Sequence, residues 1–233
     1  MMMREMAVVT IVSIGLLFFS MSADPYERPF VIGDRSISRP YVRHETITFT
    51  EITVVSVVIP LIFMFGTLRI NTIENTCEAY FYLSFIIACL ATSAIVENMK
   101  NMVGRLRPDF LSRCSPVGGK CTGSPKLILE GRRSFPSGHT SIAACSFIFL
   151  VLFASKESKL PRIRAKLNQV FVFLLYFTLL VVPVAVGASR VMDNKHFVSD
   201  VIGGGIIGAL VGIARFKRLE ATAVQERYKS IEP

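Results

Sequence analysis

Three polar clusters in the sequence contain the residue types that bind and transfer phosphate. They are K-N-M-V-G-R-L-R-P at residues 100–108, S-F-P-S-G-H-T-S at 134–141 and S-R-V-M-D-N-K-H-F-V-S-D at 189–200. Lys100, Arg107 and Arg190 supply positive charge, and an arginine side chain can bind two phosphate oxygens at once. The clusters therefore predict a site for a phosphorylated substrate.

The third cluster predicts a nucleophile. His196 and Asp200 are four residues apart, so both side chains can lie on one face of the first turn of a helix. The Asp200 carboxylate can keep one imidazole nitrogen protonated, which leaves the other nitrogen free to attack phosphorus. His139, in the second cluster, is a second titrating group that is suited to donating a proton.

The second cluster also predicts an anion site at the start of a helix. Ser137 and Gly138 stand where an apolar segment begins, and the free backbone N–H groups and the dipole of a helix start favour an anion. Gly138 has no side chain, so the backbone can approach a ligand closely. Each cluster alone is a weak signal, but two of the three histidines in the sequence fall within them. The third, His44, is predicted to be a solvated loop residue.

Long apolar segments must position these clusters. Of the 233 residues, 52% are hydrophobic and 18% are charged, which is less charge than a soluble domain usually carries. The apolar runs are continuous, and a bilayer core needs about 20 such residues per helix. We predict an all-α, polytopic membrane protein with six transmembrane helices in one bundle, forming a single domain over residues 1–233. The predicted helices cover about residues 6–22, 47–67, 79–98, 139–154, 170–188 and 198–214.

Six spans would place all three clusters on one face of the membrane and both termini on the other. Lys and Arg are divided almost evenly between the two sides, so the excess of positive charge expected in cytoplasmic loops does not orient the chain. The first segment also has the features of a cleaved signal peptide, although a retained helix suits the six-span arrangement better. Residues 215–233 are predicted to form a mobile, polar cytoplasmic tail.

Two cysteines in the longest polar loop bear on its location. Cys114 and Cys121, with a Gly pair between them, could close a small disulfide ring if the loop faces an oxidising space. Two free thiols are the alternative. The pair favours placing residues 99–138 outside the cell or in a lumen.

The composition argues against two other kinds of ligand. No C-x-x-C pattern exists and only three histidines are present, so we predict no metal site and no cofactor. The net charge of +9 could suggest nucleic acid, but Lys and Arg crowd the ends of the spans and the long loop, and no nucleic-acid-binding motif is found. The predicted partners are therefore the bilayer and its lipids, with a homo-oligomer left open.

The three clusters resemble the signature motifs of a known family. K-x(6)-R-P, P-S-G-H and S-R-x(5)-H-x(3)-D are similar to the three motifs of the phosphatidic acid phosphatase type 2 superfamily, and all three are complete and in order. The resemblance is carried by the region from about 97 to 203. The stretches G-R-L-R-P-D-F-L and R-P-F-x-x-x-D-x-S-I, at residues 104–111 and 28–37, resemble the lipid phosphate phosphatase branch.

The resemblance implies a role for each motif residue. His196 would attack phosphorus to give a phosphohistidine, Asp200 would orient His196, and His139 would protonate the leaving lipid alkoxide. Water would then release inorganic phosphate, and family members need no metal. The residues implied to bind the phosphate are Lys100, Arg107, Ser137, Gly138 and Arg190.

The resemblance also implies a substrate class and a location. The branch acts on phosphatidate, lysophosphatidate, sphingosine 1-phosphate and ceramide 1-phosphate, with its site facing outside or a lumen. We expect the plasma membrane with an extracellular site, and the endoplasmic reticulum or Golgi with a lumenal site as the alternative. A lipid diphosphate phosphatase, a phosphotransferase and a catalytically silent scaffold are the other functions considered. A transporter is disfavoured, because the charged residues map to one interface and not to the middle of the membrane.

Overall fold

The computed structural model describes residues 2–71, 75–157 and 169–229, and these residues are mostly helical. Two short strands, β1 and β2, form an antiparallel hairpin in the longest loop, with Pro116 opposite Cys121. The helices are α1 (Met2–Ser22), α2 (Phe49–Thr53), α3 (Ile59–Asn71), α4 (Asn75–Val103), α5 (Phe110–Cys114), α6 (Pro125–Gly131), α7 (Gly138–Glu157), α8 (Gln169–Met192) and α9 (Val198–Lys229), and the strands are β1 (Pro116–Val117) and β2 (Lys120–Cys121).

The helices confirm the predicted all-α, polytopic membrane fold. Within the described residues, five helical segments are long and apolar enough to cross a membrane. The predicted fifth span, 170–188, lies in α8, whose apolar part within the searched residues is the shorter segment Tyr176–Met192. The number six therefore stays a prediction. The five segments are Met3–Ser22, Phe49–Leu68, Ala79–Val103, Gly138–Lys156 and Val198–Thr222.

A row of glycines brings α9 into backbone contact with α7. Gly204, Gly208 and Gly212 are spaced four residues apart, so they share one face of α9. A Cβ atom on Gly212 would lie 2.6 Å from the carbonyl oxygen of Cys145, and one on Gly208 would overlap the backbone of Ser141. Small residues at such a seam let two membrane helices approach closely. The seam places the start of α9 beside the start of α7, where the second and third clusters lie.

Between α2 and α3, the helix widens into a π-helical segment, Val54–Val58. Ser56 is fully buried within this segment, and its carbonyl oxygen accepts a hydrogen bond from the hydroxyl of Ser146 on α7. The segment therefore lies against α7 near the site. Thr48 starts α2 with a reciprocal pair of hydrogen bonds to Glu51, which fixes where the first loop ends.

The first loop, residues 23–48, lies across the ends of the helices that carry the clusters. The backbone N–H of Tyr26 donates to the carbonyl of Asn101 at 2.8 Å, and that of Arg39 donates to the carbonyl of Pro108 at 2.8 Å. Both acceptors belong to the first cluster, residues 100–108. The sequence of this loop resembles the lipid phosphate phosphatase branch at residues 28–37, but it predicted no contact with the clusters.

The carboxyl-terminal part of α9 covers much of the segment predicted to be a mobile tail, residues 215–233, of which residues 230–233 lie outside the described residues. The helix continues to Lys229. Arg218 on α9 makes hydrogen bonds of 2.7–2.9 Å to both carboxylate oxygens of Glu5 on α1, and Arg215 lies 3.8 Å from the same carboxylate. Arg215 and Arg218 therefore join α9 to α1 through one carboxylate.

Candidate functional site

The structure brings the three clusters together at one end of the bundle. The end of α4, the start of α7 and the start of α9 surround a cavity of about 510 Å³. The motif residues that line this cavity are Lys100, Arg107, Gly138, His139, Arg190 and His196. Six residues from three distant parts of the chain therefore face one space.

His196 is held in a single tautomer by a backbone carbonyl. Its Nδ1 atom lies 2.7 Å from the carbonyl oxygen of Ser134 and 3.8 Å from the nearer oxygen of Asp200. A carbonyl can only accept a hydrogen bond, so Nδ1 must carry the proton. The free lone pair is then on Nε2, which is the atom that a nucleophilic histidine needs.

Asp200, which was predicted to orient His196, is joined to it mainly through Ser134. Asp200 does not hold the imidazole directly, because 3.8 Å is too long for a hydrogen bond. Its Oδ2 atom instead accepts hydrogen bonds from the hydroxyl of Ser134 at 2.6 Å and the backbone N–H of Phe197 at 2.9 Å. Asp200 thus positions Ser134, and the carbonyl of Ser134 positions His196.

Arg105 binds the other oxygen of the Asp200 carboxylate. Its guanidinium donates to the Oδ1 atom of Asp200 at 2.6 Å and lies 4.4 Å from the ring centroid of Phe197. Arg105 lies inside the first cluster but outside the positions to which the resemblance assigns a role. Its pairing with a fully buried carboxylate gives it a structural role at the site.

Burial keeps the imidazole of His196 uncharged. Removal from water, together with the positive charges of Arg107 and Lys100, lowers the pKa of His196 to about 4, and the Asp200 carboxylate only partly opposes this. His196 is 4% exposed. At neutral pH its Nε2 atom therefore carries a free lone pair.

His139 differs from His196 in having an unpaired nitrogen at the cavity. Its Nε2 atom is buried and has no hydrogen-bond partner among the described residues. The ring packs edge-to-face against Phe49 at the start of α2, with ring centroids 6.3 Å apart. An unpaired, buried nitrogen that lines a polar cavity can exchange a proton with a bound ligand.

Each predicted phosphate-binding cation is paired with a carboxylate in the structure. Lys100 lies 2.5 Å from Glu97 within α4. Arg107 lies 3.2 Å from Glu130 of α6, a distance at the long end for a charged hydrogen bond. Arg190 forms a third such pair with Glu45 of the first loop, at 2.8 Å. The sequence identified the three cations but none of these three acids.

Arg190 has a second carboxylate that the sequence left without a role. Asp193 accepts a hydrogen bond from Arg190 at 2.8 Å, and its carboxylate also accepts from the backbone N–H and the hydroxyl of Thr46. The three-residue spacing of Arg190 and Asp193 near the end of a helix was a signal that could have predicted this pair.

Gly138 and Ser137 differ in how well they fit the predicted phosphate site. A Cβ atom on Gly138 would lie 3.0 Å from the Nζ atom of Lys100, so the glycine lets this cation approach the start of α7. Ser137 is buried behind the cavity wall, where its N–H donates to the carbonyl of Asp200 at 3.0 Å and its hydroxyl pairs with Thr140. Ser137 therefore joins α7 to α9, and its N–H is not free for an anion.

The inner wall of the cavity is apolar. It is formed by the helical stretch that runs from α2 into α3, by α4 and by α7. One residue of this wall, Ile86, is 45% exposed. A hydrocarbon chain could therefore lie against this wall while a polar group reaches the cations. The apolar residues of the wall include Ile52, Val57, Ile86, Leu90 and Ile142.

Comparison with known proteins identifies the family. The family model described as the PAP2 superfamily matches residues 81–222, which include all three clusters. The chain belongs to the PAP2 superfamily. It is the family that the three motifs resemble, and this PAP2 chain is an integral membrane protein.

Curated relatives of this PAP2 protein match over most of its length. "Probable diacylglycerol pyrophosphate phosphatase 1" of Schizosaccharomyces pombe is 29% identical, over 92% of this chain and 80% of its own. "Phospholipid phosphatase 2" of Rattus norvegicus is 31% identical, over 97% and 86%. "Lipid phosphate phosphatase 2" of Arabidopsis thaliana is 34% identical, over 81% and 67%. No solved structure gives a significant match to the chain.

Proposed function

We propose that this PAP2 protein is a lipid phosphate phosphatase that hydrolyses phosphomonoesters through a phosphohistidine on Nε2 of His196. The observation that supports this most directly is the 2.7 Å contact between Nδ1 of His196 and the carbonyl of Ser134. It leaves Nε2 unprotonated in a cavity that Lys100 and Arg107 also line. A neutral nitrogen beside bound phosphate is what a two-step phosphoryl transfer requires.

The first step forms the covalent intermediate. Nε2 of His196 bonds to phosphorus while the bond from phosphorus to the lipid oxygen breaks, and the departing oxygen takes a proton from His139. The negative charge of the bound phosphate favours the protonated form of His139 that can give this proton. Lys100, Arg107 and Arg190 would offset the charge on the phosphate oxygens throughout.

The second step regenerates the enzyme. A water molecule gives its proton to the now neutral His139, and its oxygen bonds to phosphorus as the bond to Nε2 breaks. At the end of this step His196 is neutral and His139 is protonated, as both were with substrate bound, and inorganic phosphate can leave. No residue outside the cavity is needed to balance the protons.

The apolar wall and the relatives support a lipid substrate. Three of the relatives are named for phosphatase activity on phospholipids, lipid phosphates or a diacylglycerol pyrophosphate. We place phosphatidate, lysophosphatidate, sphingosine 1-phosphate and ceramide 1-phosphate first among the substrates. A lipid diphosphate is the second candidate, because one relative is named for that activity.

The hairpin bears on the location of the site. Cys114 and Cys121 form a disulfide across the β1–β2 hairpin, with their Cα atoms 4.6 Å apart. Disulfides persist in oxidising compartments, so this pair supports a site that faces the cell exterior or a lumen. The plasma membrane is the proposed location, and a lumenal site in the endoplasmic reticulum or Golgi is the alternative.

The proposal is tested by measuring phosphate release in detergent micelles that contain a metal chelator. The substrates are the four phosphomonoesters, a lipid diphosphate and p-nitrophenyl phosphate. His196→Ala should abolish release from every substrate, whereas His44→Ala, which changes an exposed histidine of the first loop, should not alter it. Full activity of His196→Ala would overturn the proposed nucleophile.

The roles of the two cavity histidines can be distinguished by comparing substrates with different leaving groups. A lipid alkoxide needs a proton to leave, so the rate of phosphate release from lipid substrates should fall about 10²–10⁴-fold in His139→Ala. p-Nitrophenolate leaves without such help, so the same variant should lose much less on p-nitrophenyl phosphate. An equal loss on both kinds of substrate would mean that His139 binds phosphate and does not act as the acid.

A further inference from the structure

Glu45 holds two buried cations of the cavity at once. It lies in the first loop, four residues before α2, and it lines the cavity together with His196. Its Oε2 atom accepts a hydrogen bond from Arg190 at 2.8 Å, and its Oε1 atom lies 3.4 Å from the Nζ atom of Lys195. Two carboxylate oxygens therefore occupy the positions on these cations that two phosphate oxygens would need.

Neither cation depends on Glu45 for a partner. Arg190 also donates to Asp193, and Lys195 also donates to the carbonyl of Val42 at 2.9 Å and lies 4.0 Å from Asp109. The side chain of Glu45 is 27% exposed, whereas that of Asp193 is 6% exposed. If the Glu45 side chain moves away, Arg190 keeps its ion pair with the buried Asp193. The Glu45 carboxylate is then hydrated by solvent.

The charge of the cavity favours such a movement when phosphate binds. Among the described residues that line it, four cations face three carboxylates, which gives a net charge of +1 from these groups. Withdrawal of Glu45 leaves the cavity with a net charge of +2 from these groups. A phosphate monoester carries a charge of about −1.5 to −2 at pH 7, which this would balance. The cations are Lys100, Arg107, Arg190 and Lys195, and the carboxylates are Glu45, Glu97 and Glu130.

We propose that the Glu45 carboxylate is an internal anion that competes with phosphate. It lies between Arg190 and Lys195 when no ligand is bound, and the phosphate group of a ligand displaces it. The inference rests on the proposed function, because it takes the cavity to be the phosphate site. Glu45 competes with every phosphate that enters, and it returns when the product leaves. It therefore weakens the hold of the site on inorganic phosphate and promotes product release.

A positioning role for Glu45 makes the opposite prediction. If its contact with Arg190 were needed to hold the guanidinium in place, removing the carboxylate would weaken phosphate binding. If Glu45 competes with phosphate, removing its charge strengthens binding. The sign of the change in affinity therefore decides between the two roles.

The test measures the binding of inorganic phosphate to the full-length protein in detergent micelles by calorimetry. Glu45→Gln keeps the shape of the side chain and removes its charge, and it should bind phosphate about tenfold more tightly than the wild type. Glu27→Gln, an exposed acid of the same loop, is the matched control and should bind as the wild type does. Unchanged or weaker binding by Glu45→Gln would overturn the inference.

A second variant and a second readout keep the two proposals separate. Glu45→Asp has a shorter side chain that cannot reach both cations, so it should also tighten phosphate binding and strengthen product inhibition. If the wild type neither binds phosphate nor releases it from lipid substrates, the proposed function fails. If the wild type does both and Glu45→Gln does not bind phosphate more tightly, only the role of Glu45 fails, whatever Glu45→Asp does.

Discussion

The two ends of helix α9 hold charged side chains in opposite ways. At the amino-terminal end, the Asp200 side chain is fully buried and accepts hydrogen bonds from three other residues. At the other end, the Arg218 side chain is 54% exposed, and the side chain of its partner Glu5 is 30% exposed. A buried carboxylate has given up its water and depends on every donor, whereas an exposed pair can replace its partner with water. Mutations of these two sets of contacts are therefore expected to have very different effects, although the distances between the paired atoms are similar.

The largest effect is expected at Asp200. Asp200→Asn removes the charge that Arg105 and the hydroxyl of Ser134 bind, so the carbonyl of Ser134 loses its fixed position beside His196. The turnover rate should fall by about 10²–10³-fold, the range for the loss of one preorganised polar contact in an active site. Glu220→Gln, farther along α9, is the control and should retain wild-type turnover. Wild-type turnover in Asp200→Asn would show that the backbone alone holds His196.

The glycine seam between the two ends should give the next largest effect. A Cβ atom on Gly208 would overlap the backbone of α7, so Gly208→Ala should force the helices apart. Overpacking of this kind costs about 1–3 kcal/mol, and the midpoint of thermal unfolding in detergent should fall. Gly15→Ala in α1 is the matched control, because its Cβ would meet nothing within 4 Å. Equal midpoints for the two variants would mean that the seam is looser than the structure shows.

The protonation of His196 gives a smaller, graded effect. Its pKa of about 4 means that Nε2 stays unprotonated down to mildly acidic pH. Hydrolysis of p-nitrophenyl phosphate should therefore persist at pH 5 and fall about tenfold per pH unit below the pKa. A loss of activity centred near the ordinary histidine value of 6.5 would contradict the burial of a neutral imidazole.

Folding must be followed in the same experiment. The pKa of His196 in the folded protein lies below its ordinary value of 6.5, so the unfolded chain binds more protons between the two values. The contribution of His196 to stability is therefore complete above pH 6.5 and decreases as the pH falls towards 4. The midpoint of thermal unfolding, measured at each pH, separates this loss of stability from the loss of activity that protonation of Nε2 would cause.

The smallest effect is expected at the exposed end of α9. Arg218→Ala removes hydrogen bonds to Glu5 that water can replace, so the thermal midpoint should stay close to that of the wild type. Turnover should also be unchanged, because no residue that lines the cavity is among the contacts of Arg218. A large loss of stability would mean that this pair, like Asp200, is shielded from water in the membrane.

The sequence predicted the parts of the site that side chains define. His139, His196 and the three motif cations were identified by residue type and spacing, and the structure places all of them at one cavity. The partner of His196 could not be found in this way, because a backbone carbonyl belongs to every residue and has no sequence signature. Only the folded chain shows that Ser134, 62 residues away, supplies it.

The first loop shows a second limit of sequence reasoning. Glu45 and Thr46 contact Arg190 and Asp193 across about 145 residues of chain, and no periodic pattern links positions so far apart. The apolar spans were predicted well because hydrophobicity along a continuous run is a local property. The contact between the carboxyl-terminal part of α9 and Glu5 was not predicted, since Glu5 lies 213 residues away from Arg218, at the other end of the chain.

The hairpin closed by Cys114 and Cys121 also provides a place to report on the orientation of the protein. Gly118 and Gly119 form its tip with φ of 57° and 81°, both are exposed, and a Cβ atom on either would meet nothing within 4 Å. A short insertion is tolerated best at such a tip, because no packed backbone has to move. An N-glycosylation acceptor inserted there would receive a glycan only if the hairpin enters the secretory lumen, so a shift in gel mobility would determine the sidedness of the site in a living cell.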